Sequence, residues 1–109
     1  MKIQIIKENK KDFLDLLLLA DEQENMIDKY LKRGIMFAIY DNDLKGICVV
    51  TKEEDRIYEL KNIATYKEFH GHGYGKQLID MVYLKKEFVS RDINTNSNLY
   101  LWIIIMIQV

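Results

Sequence analysis

Residues 59–82 read ELKNIATYKEFHGHGYGKQLIDMV. A strand-like stretch runs into glycines at 71, 73 and 75. A helical stripe then follows through Tyr74, Leu78, Met81, Val82 and Val89. A strand feeding a glycine-rich turn and a helix start builds an anion site. Glycines let the backbone approach a ligand, successive N–H groups point into one concavity, and the helix start adds roughly half a positive charge. A diphosphate is the expected occupant. Spacing excludes two common phosphate loops. A Walker A loop needs four residues between Gly and Gly-Lys and then Ser or Thr, whereas Gly71 and Gly75-Lys76 enclose three and Gln77 follows. The dinucleotide pattern G-x-G-x-x-G fails as well, because its third glycine falls on Lys76 or Leu78.

Upstream, residues 1–6 read as a short strand. Two helical stretches follow. The first spans about 12–20, with Asn9 as its cap. In the second, Asp21 and Glu24 match a capping box, Met26, Ile27, Tyr30 and Leu31 recur at helical spacing, and Lys32-Arg33-Gly34 supplies a stop. The period then changes. IMFAIY, the turn Asp41-Asn42-Asp43 and GICVV form a hairpin signature. A polar turn, KEED, leads into RIYELKNIATY. Strict alternation there puts Tyr58, Leu60, Asn62 and Ala64 on one face and Ile57, Glu59, Lys61 and Ile63 on the other. Beyond the helix, RDINTNSN reads as a loop and residues 99–107, LYLWIIIMI, as a buried strand reached by a right-handed crossover and paired in parallel. The expectation is a single α/β domain over residues 1–109 with a mixed sheet, in the order β-α-α-β-β-β-α-β.

The chain has 109 residues, 49% hydrophobic and 30% charged, which is one folded domain with no room for a second core. A net charge of -1 argues against duplex nucleic acid as a partner, since that affinity comes mainly from basic groups neutralising phosphates. The lone cysteine, Cys48, excludes an internal disulfide framework and a cysteine-based zinc site. It reads as a core residue. Neither apolar run, 14–20 or 99–107, approaches the roughly 20 residues that span a bilayer. The N-terminus has too short an apolar stretch and too many charges for a secretory signal. No membrane association and a cytoplasmic location are therefore expected. After position 90 the only charges are Arg91 and Asp92. The end of the chain reads as a buried strand.

The strand and loop together resemble the GNAT superfamily of N-acetyltransferases. That family's signature is Gln/Arg-x-x-Gly-x-Gly/Ala, often Q-G-K-G-Y-G after a strand E-I-K-N-I-A-V. This chain has E-L-K-N-I-A-T at 59–65 and H-G-H-G-Y-G at 70–75, with Gly73, Gly75 and Lys76 matching. His70 departs from the Gln or Arg of the family. The resemblance covers about residues 1–107 in topology and is strong locally over 57–82. It implies a GNAT-like fold and acetyl-CoA as co-substrate. Backbone groups of Ile63, Ala64 and Thr65 would pair with the pantetheine arm. The loop His70, Gly71, His72, Gly73, Tyr74, Gly75 and Lys76 would hold the pyrophosphate. The reaction implied is attack of a primary amine, on a small molecule or peptide, on the thioester. Glu59 stands where the family often keeps a catalytic carboxylate, and needs burial or a screened position to act as base. Tyr100 is a distant candidate for protonating the leaving thiolate.

Each feature also has a plainer explanation. Glu59 can be a strand charge paired with Lys61. His70 and His72 lack the further ligands zinc needs, so no metal site is expected. Met26 and Tyr30 either border the acceptor site or pack in the core. The family continues past the last strand with a helix and closing strands, so the chain is expected to be a C-terminally shortened GNAT domain. An uncovered apolar strand invites pairing with a second copy, giving a homodimer. The competing function is a catalytically weak or inactive CoA-binding or dimerising domain of the same fold.

Overall fold

The computed structural model describes residues 1–54, 57–84 and 100–103, with backbone only at 83–84 and 100–103. Its strands are β1 (Lys2–Ile6), β2 (Ile35–Asp41), β3 (Asp43–Glu54), β4 (Ile57–Thr65) and β5 (Tyr100–Ile103). Helices α1 (Leu14–Ala20) and α2 (Glu24–Arg33) lie between β1 and β2, and α3 (Tyr74–Leu84) lies between β4 and β5. The strands form one sheet in the order β1-β2-β3-β4-β5. All neighbours are antiparallel except β4 and β5, which run parallel. This is the expected mixed α/β architecture. The expected loop at 91–98, and the part of the terminal strand beyond Ile103, lie outside the described residues, as does Val89.

Both faces of the sheet are covered, which explains why β2 and the middle of β3 are apolar on successive residues rather than alternating. On one face α1 and α2 bury Leu16, Leu17, Ile27 and Leu31 against Met36, Ala38, Ile47 and Val49. On the other, α3 buries Leu78 and Val82 against Phe37, Ile39, Cys48 and Val50. Cys48 is fully buried, and that burial pushes its thiol up to about 12. Truncating Leu78 to alanine at such a site costs about 2–5 kcal/mol. Gly34 joins α2 to β2 at a close approach. A Cβ there would sit 2.7 Å from both the Tyr30 carbonyl oxygen and Val49 Cγ1. Among the described residues no helix is long and apolar enough to cross a membrane.

Local details depart from the simple sequence rules. Asn9 takes a left-handed conformation and makes no side-chain cap. The residue before α2 is Gln23, not Asp21. Asp21 Oδ1 instead accepts the Gln23 N–H at 3.1 Å, a tight turn that competes with the capping box. Of the expected polar turn at 52–55, Lys52, Glu53 and Glu54 belong to β3, while position 55 lies outside the described residues.

The largest correction concerns β4. Val49 faces Asn62 and Val50 faces Leu60, so Lys61 is an extra residue, a β-bulge. Alternation is broken there. Tyr58, Leu60 and Ile63 pack on the α3 side, whereas Asn62 and Ala64 face α1 and α2. Tyr58, Leu60, Asn62 and Ala64 therefore do not share a face. Glu59 pairs with Thr51, two residues on from Val49, so it too lies on the α1–α2 side, opposite Ile63.

Candidate functional site

At the C-terminal end of β4 the structure opens a cavity of about 950 Å³. One wall is the last turn of α1, with Leu19 and Ala20; the facing wall is the end of β4, with Ile63, Ala64 and Thr65. The loop that follows contributes Lys67, Phe69, His70, Gly71 and Gly73, and the start of α3 adds Tyr74, Gly75, Lys76 and Ile79. Of the loop residues singled out by sequence, His72 alone does not line the cavity.

The loop's shape follows from its glycines. Gly71 and Gly73 have φ of 84° and 83°, a region that other residues rarely adopt. The first bond closing α3 runs from the Gln77 N–H to the Gly73 carbonyl at 3.0 Å. The amides before it, on Tyr74, Gly75 and Lys76, are thus the free donors of a helix start, beside the cavity.

Side chains brace this loop from behind. Lys45 Nζ lies 3.6 Å above the Phe69 ring and pairs with Asp43. Tyr74 donates its hydroxyl to Asp41 Oδ2 at 2.8 Å, so the β2–β3 turn holds the first residue of α3. His72 stacks on Tyr74 with planes 8° apart and donates Nδ1–H to the Phe69 carbonyl at 2.9 Å. His70 donates Nε2–H to the Thr65 carbonyl at 3.2 Å, tying loop to strand. In each ring one nitrogen faces a carbonyl, which only accepts, so that nitrogen carries the hydrogen.

Glu59 lies elsewhere. Its carboxylate does not line the cavity; Lys61 Nζ is 2.8 Å away, and the same Lys61 stands 3.8 Å from Glu53. Arg33 Nη1 closes the cluster at 2.6 Å from Glu53, which also accepts from Thr51 Oγ1 at 2.8 Å. The bond from Arg33 holds the Glu53 carboxyl well below its ordinary value near 4.5, at about 2. Tyr100 opens β5, its backbone opposite Ile57, while Trp102 is the residue opposite Glu59.

A buried polar chain ties β4 to α1 and α2. Asn62 Nδ2 donates to the Leu17 carbonyl at 2.9 Å and to Tyr30 Oη at 3.0 Å, and Tyr30 donates to Asp21 Oδ2 at 3.3 Å. Burial pushes the Tyr30 hydroxyl up to about 12. Tyr30 is thus a core residue, while Met26 is 41% exposed.

The family model described as Acetyltransferase (GNAT) family matches residues 4–99. The chain belongs to the GNAT acetyltransferase family. Within it, the Bacillus subtilis (strain 168) protein named Uncharacterized N-acetyltransferase YvbK is 35% identical over 80 residues, 72% of this chain and 52% of its own length. A GNAT family acetyltransferase from Elizabethkingia anophelis, solved with acetyl-CoA bound, superposes with a TM-score of 0.72 at 34% identity, covering 79% of this chain and 57% of that one. A Bacillus subtilis acetyltransferase in complex with CoA gives 0.70 at 33% identity, covering 79% and 58%. This GNAT chain thus spans little more than half the length of these relatives.

The sequence alone does not mark Leu19, Ala20, Lys67, Phe69 and Ile79 as lining residues. Their signal was weak: two are remote in sequence, and apolar residues on a helix read as core. Nor does it mark Asn62. The available signal was an amide in alternation with Tyr58, Leu60 and Ala64, on what the sequence reads as a largely apolar face.

Proposed function

We propose that this chain binds acetyl-CoA and transfers its acetyl group to a primary amine. The observation that carries this reading is the cavity where the end of β4, the Gly71–Gly73 loop and the start of α3 meet. Its chemistry fits the co-substrate. A Cβ built on Gly71 or Gly73 would meet nothing within 4 Å, so the loop's open side accepts a bulky anion. The free amides at the start of α3 suit a diphosphate. Ile63, Ala64 and Thr65 offer strand backbone to an extended amide arm. Lys67 and Lys76 add ammonium donors around the same mouth.

A bound thioester supplies the activated acyl carbon. This chain's residues then position it, exclude water and manage protons. The apolar wall of Leu19, Ala20, Ile63 and Ile79 shields the acyl end. A protonated amine cannot attack, so its proton must leave first, directly or through water. We assign that proton to Glu59, which must loosen its pairing with Lys61 to receive it. Tyr100, on β5, is the proposed donor to the departing thiolate.

A second reading rests on one observation. Glu59 is already satisfied by Lys61 and stands outside the cavity lining, which suits a domain that binds CoA with little turnover. One experiment separates them. The purified chain is titrated with acetyl-CoA by calorimetry, then assayed for thiol release with a panel of primary amines. Binding with amine-dependent release supports transfer, and binding without release supports the second reading. An absence of binding overturns both.

A further inference from the structure

We propose that Asn62 is a positioning residue, one that sets the width of the acyl-CoA slot by tying β4 to α1; this rests on the reading above. The slot's two walls are residues 19–20 of α1 and 63–65 of β4. Asn62 immediately precedes the second wall. Its donation to the Leu17 carbonyl, 2.9 Å, reaches the helix two residues before the first. The Lys61 bulge is what turns Asn62 toward α1. Without the extra residue, regular alternation from Leu60 would give Asn62 the α3 side.

The hydrogen-bonding pattern argues against a role in stability alone. Asn62 is 2% exposed, and both amide hydrogens are used, yet its Oδ1 is buried with no hydrogen-bond partner among the described residues. An acceptor orphaned in the interior is costly, and its presence calls for an explanation other than stability. Nor does its removal strand its partners. The Leu17 carbonyl also accepts the Asp21 N–H at 3.1 Å, and the Tyr30 hydroxyl still donates to Asp21. An apolar isostere would remove the orphan and leave every other group bonded. A merely structural residue at 62 is therefore dispensable, whereas a positioning one is not. Small displacements of a binding wall are expensive because the slot acts only when its walls stand at the right separation.

The test is calorimetric titration of the full chain with CoA, in the parent, Asn62→Leu and Tyr30→Phe, each corrected for its folded fraction. Asn62→Leu is expected to keep its melting temperature within about 3 °C and to weaken CoA by about tenfold or more. Tyr30→Phe keeps the Asn62–Leu17 bond, so it should lower the melting temperature yet leave CoA affinity within about twofold. Should Asn62→Leu not fold, Asn62→Ser, which is smaller and cannot span the gap, takes its place with the same expected loss of affinity. Parent-like CoA affinity in the Asn62 variant, or an equal loss in Tyr30→Phe, overturns the positioning role and leaves the acyl-CoA reading intact. A parent chain that binds no CoA overturns both.

Discussion

The two halves of β4 belong to one nine-residue strand and behave as different materials. Upstream of the Lys61 bulge, residues 57–60 are laddered on both edges, to β3 and to β5, and the polar groups nearby answer one another: Glu59 with Lys61, and Glu53 with Arg33. Downstream, residues 63–65 line a cavity whose other walls are glycine-rich loop, helix start and apolar side chains. Closed pairing above and free donors below show how one strand can be both scaffold and binding edge. The bulge is the boundary, and preorganisation comes from the closed half.

The largest effect should come from Gly73→Glu, which combines a strained φ with a carboxylate at the anion site. It should abolish the rise in melting temperature that CoA gives the parent; a retained rise would mean the open half of β4 does not face a diphosphate. Next, Glu59→Gln should lower turnover about 100-fold while leaving CoA affinity unchanged. Lost affinity instead would erase the distinction between the halves, and unchanged turnover would remove Glu59 from the chemistry. Tyr74→Phe deletes the 2.8 Å bond to Asp41 and should cost about 1–2 kcal/mol in urea melts, with weaker CoA binding because the loop loses a brace. The smallest effect belongs to the closed half. Because Glu53 is held at about 2 when folded, against an ordinary value near 4.5, its contribution is complete above pH 4.5 and is lost as pH falls toward 2. Urea melts at pH 5 and pH 3 should therefore differ less in Glu53→Gln than in the parent, by under about 1 kcal/mol, since the pair is partly solvated.

Element order and the loop were legible because both are written in local chemistry. Asn42 at φ 69° is the turn residue that the Asx-rich run promised, and glycines with positive φ stand at 71 and 73. What stayed hidden was decided by neighbours far along the chain. Nothing in E-L-K-N announces a bulge, since Lys61 fits an outward position in unbroken alternation; the insertion appears only once β3 sets the register. The Asp21 capping box failed for a similar reason. That carboxylate is drawn to Gln23 and to Tyr30, whose own place depends on Asn62 in a strand 32 residues later. Glu59 reads from sequence as either a base or a partner of Lys61, and the salt bridge is present. The cavity wall from α1 was invisible because Leu19 carries no chemical mark of facing open space; at 45% exposed it is one of the few large apolar side chains left uncovered among the described residues.

Lys61 also gives the strand an odd–even arithmetic. Side chains before and after it are counted from different origins, so the segment behaves like two rulers glued with an offset of one. Deleting that single residue would bring the rulers into phase while keeping every other residue type. Viewed from the fixed cavity end, Glu59 would then swing to the apolar α3 side and Leu60 would take its place among the charges. A one-residue deletion here should thus do more harm than most substitutions in the strand, because it exchanges the two faces of every β4 residue upstream of it.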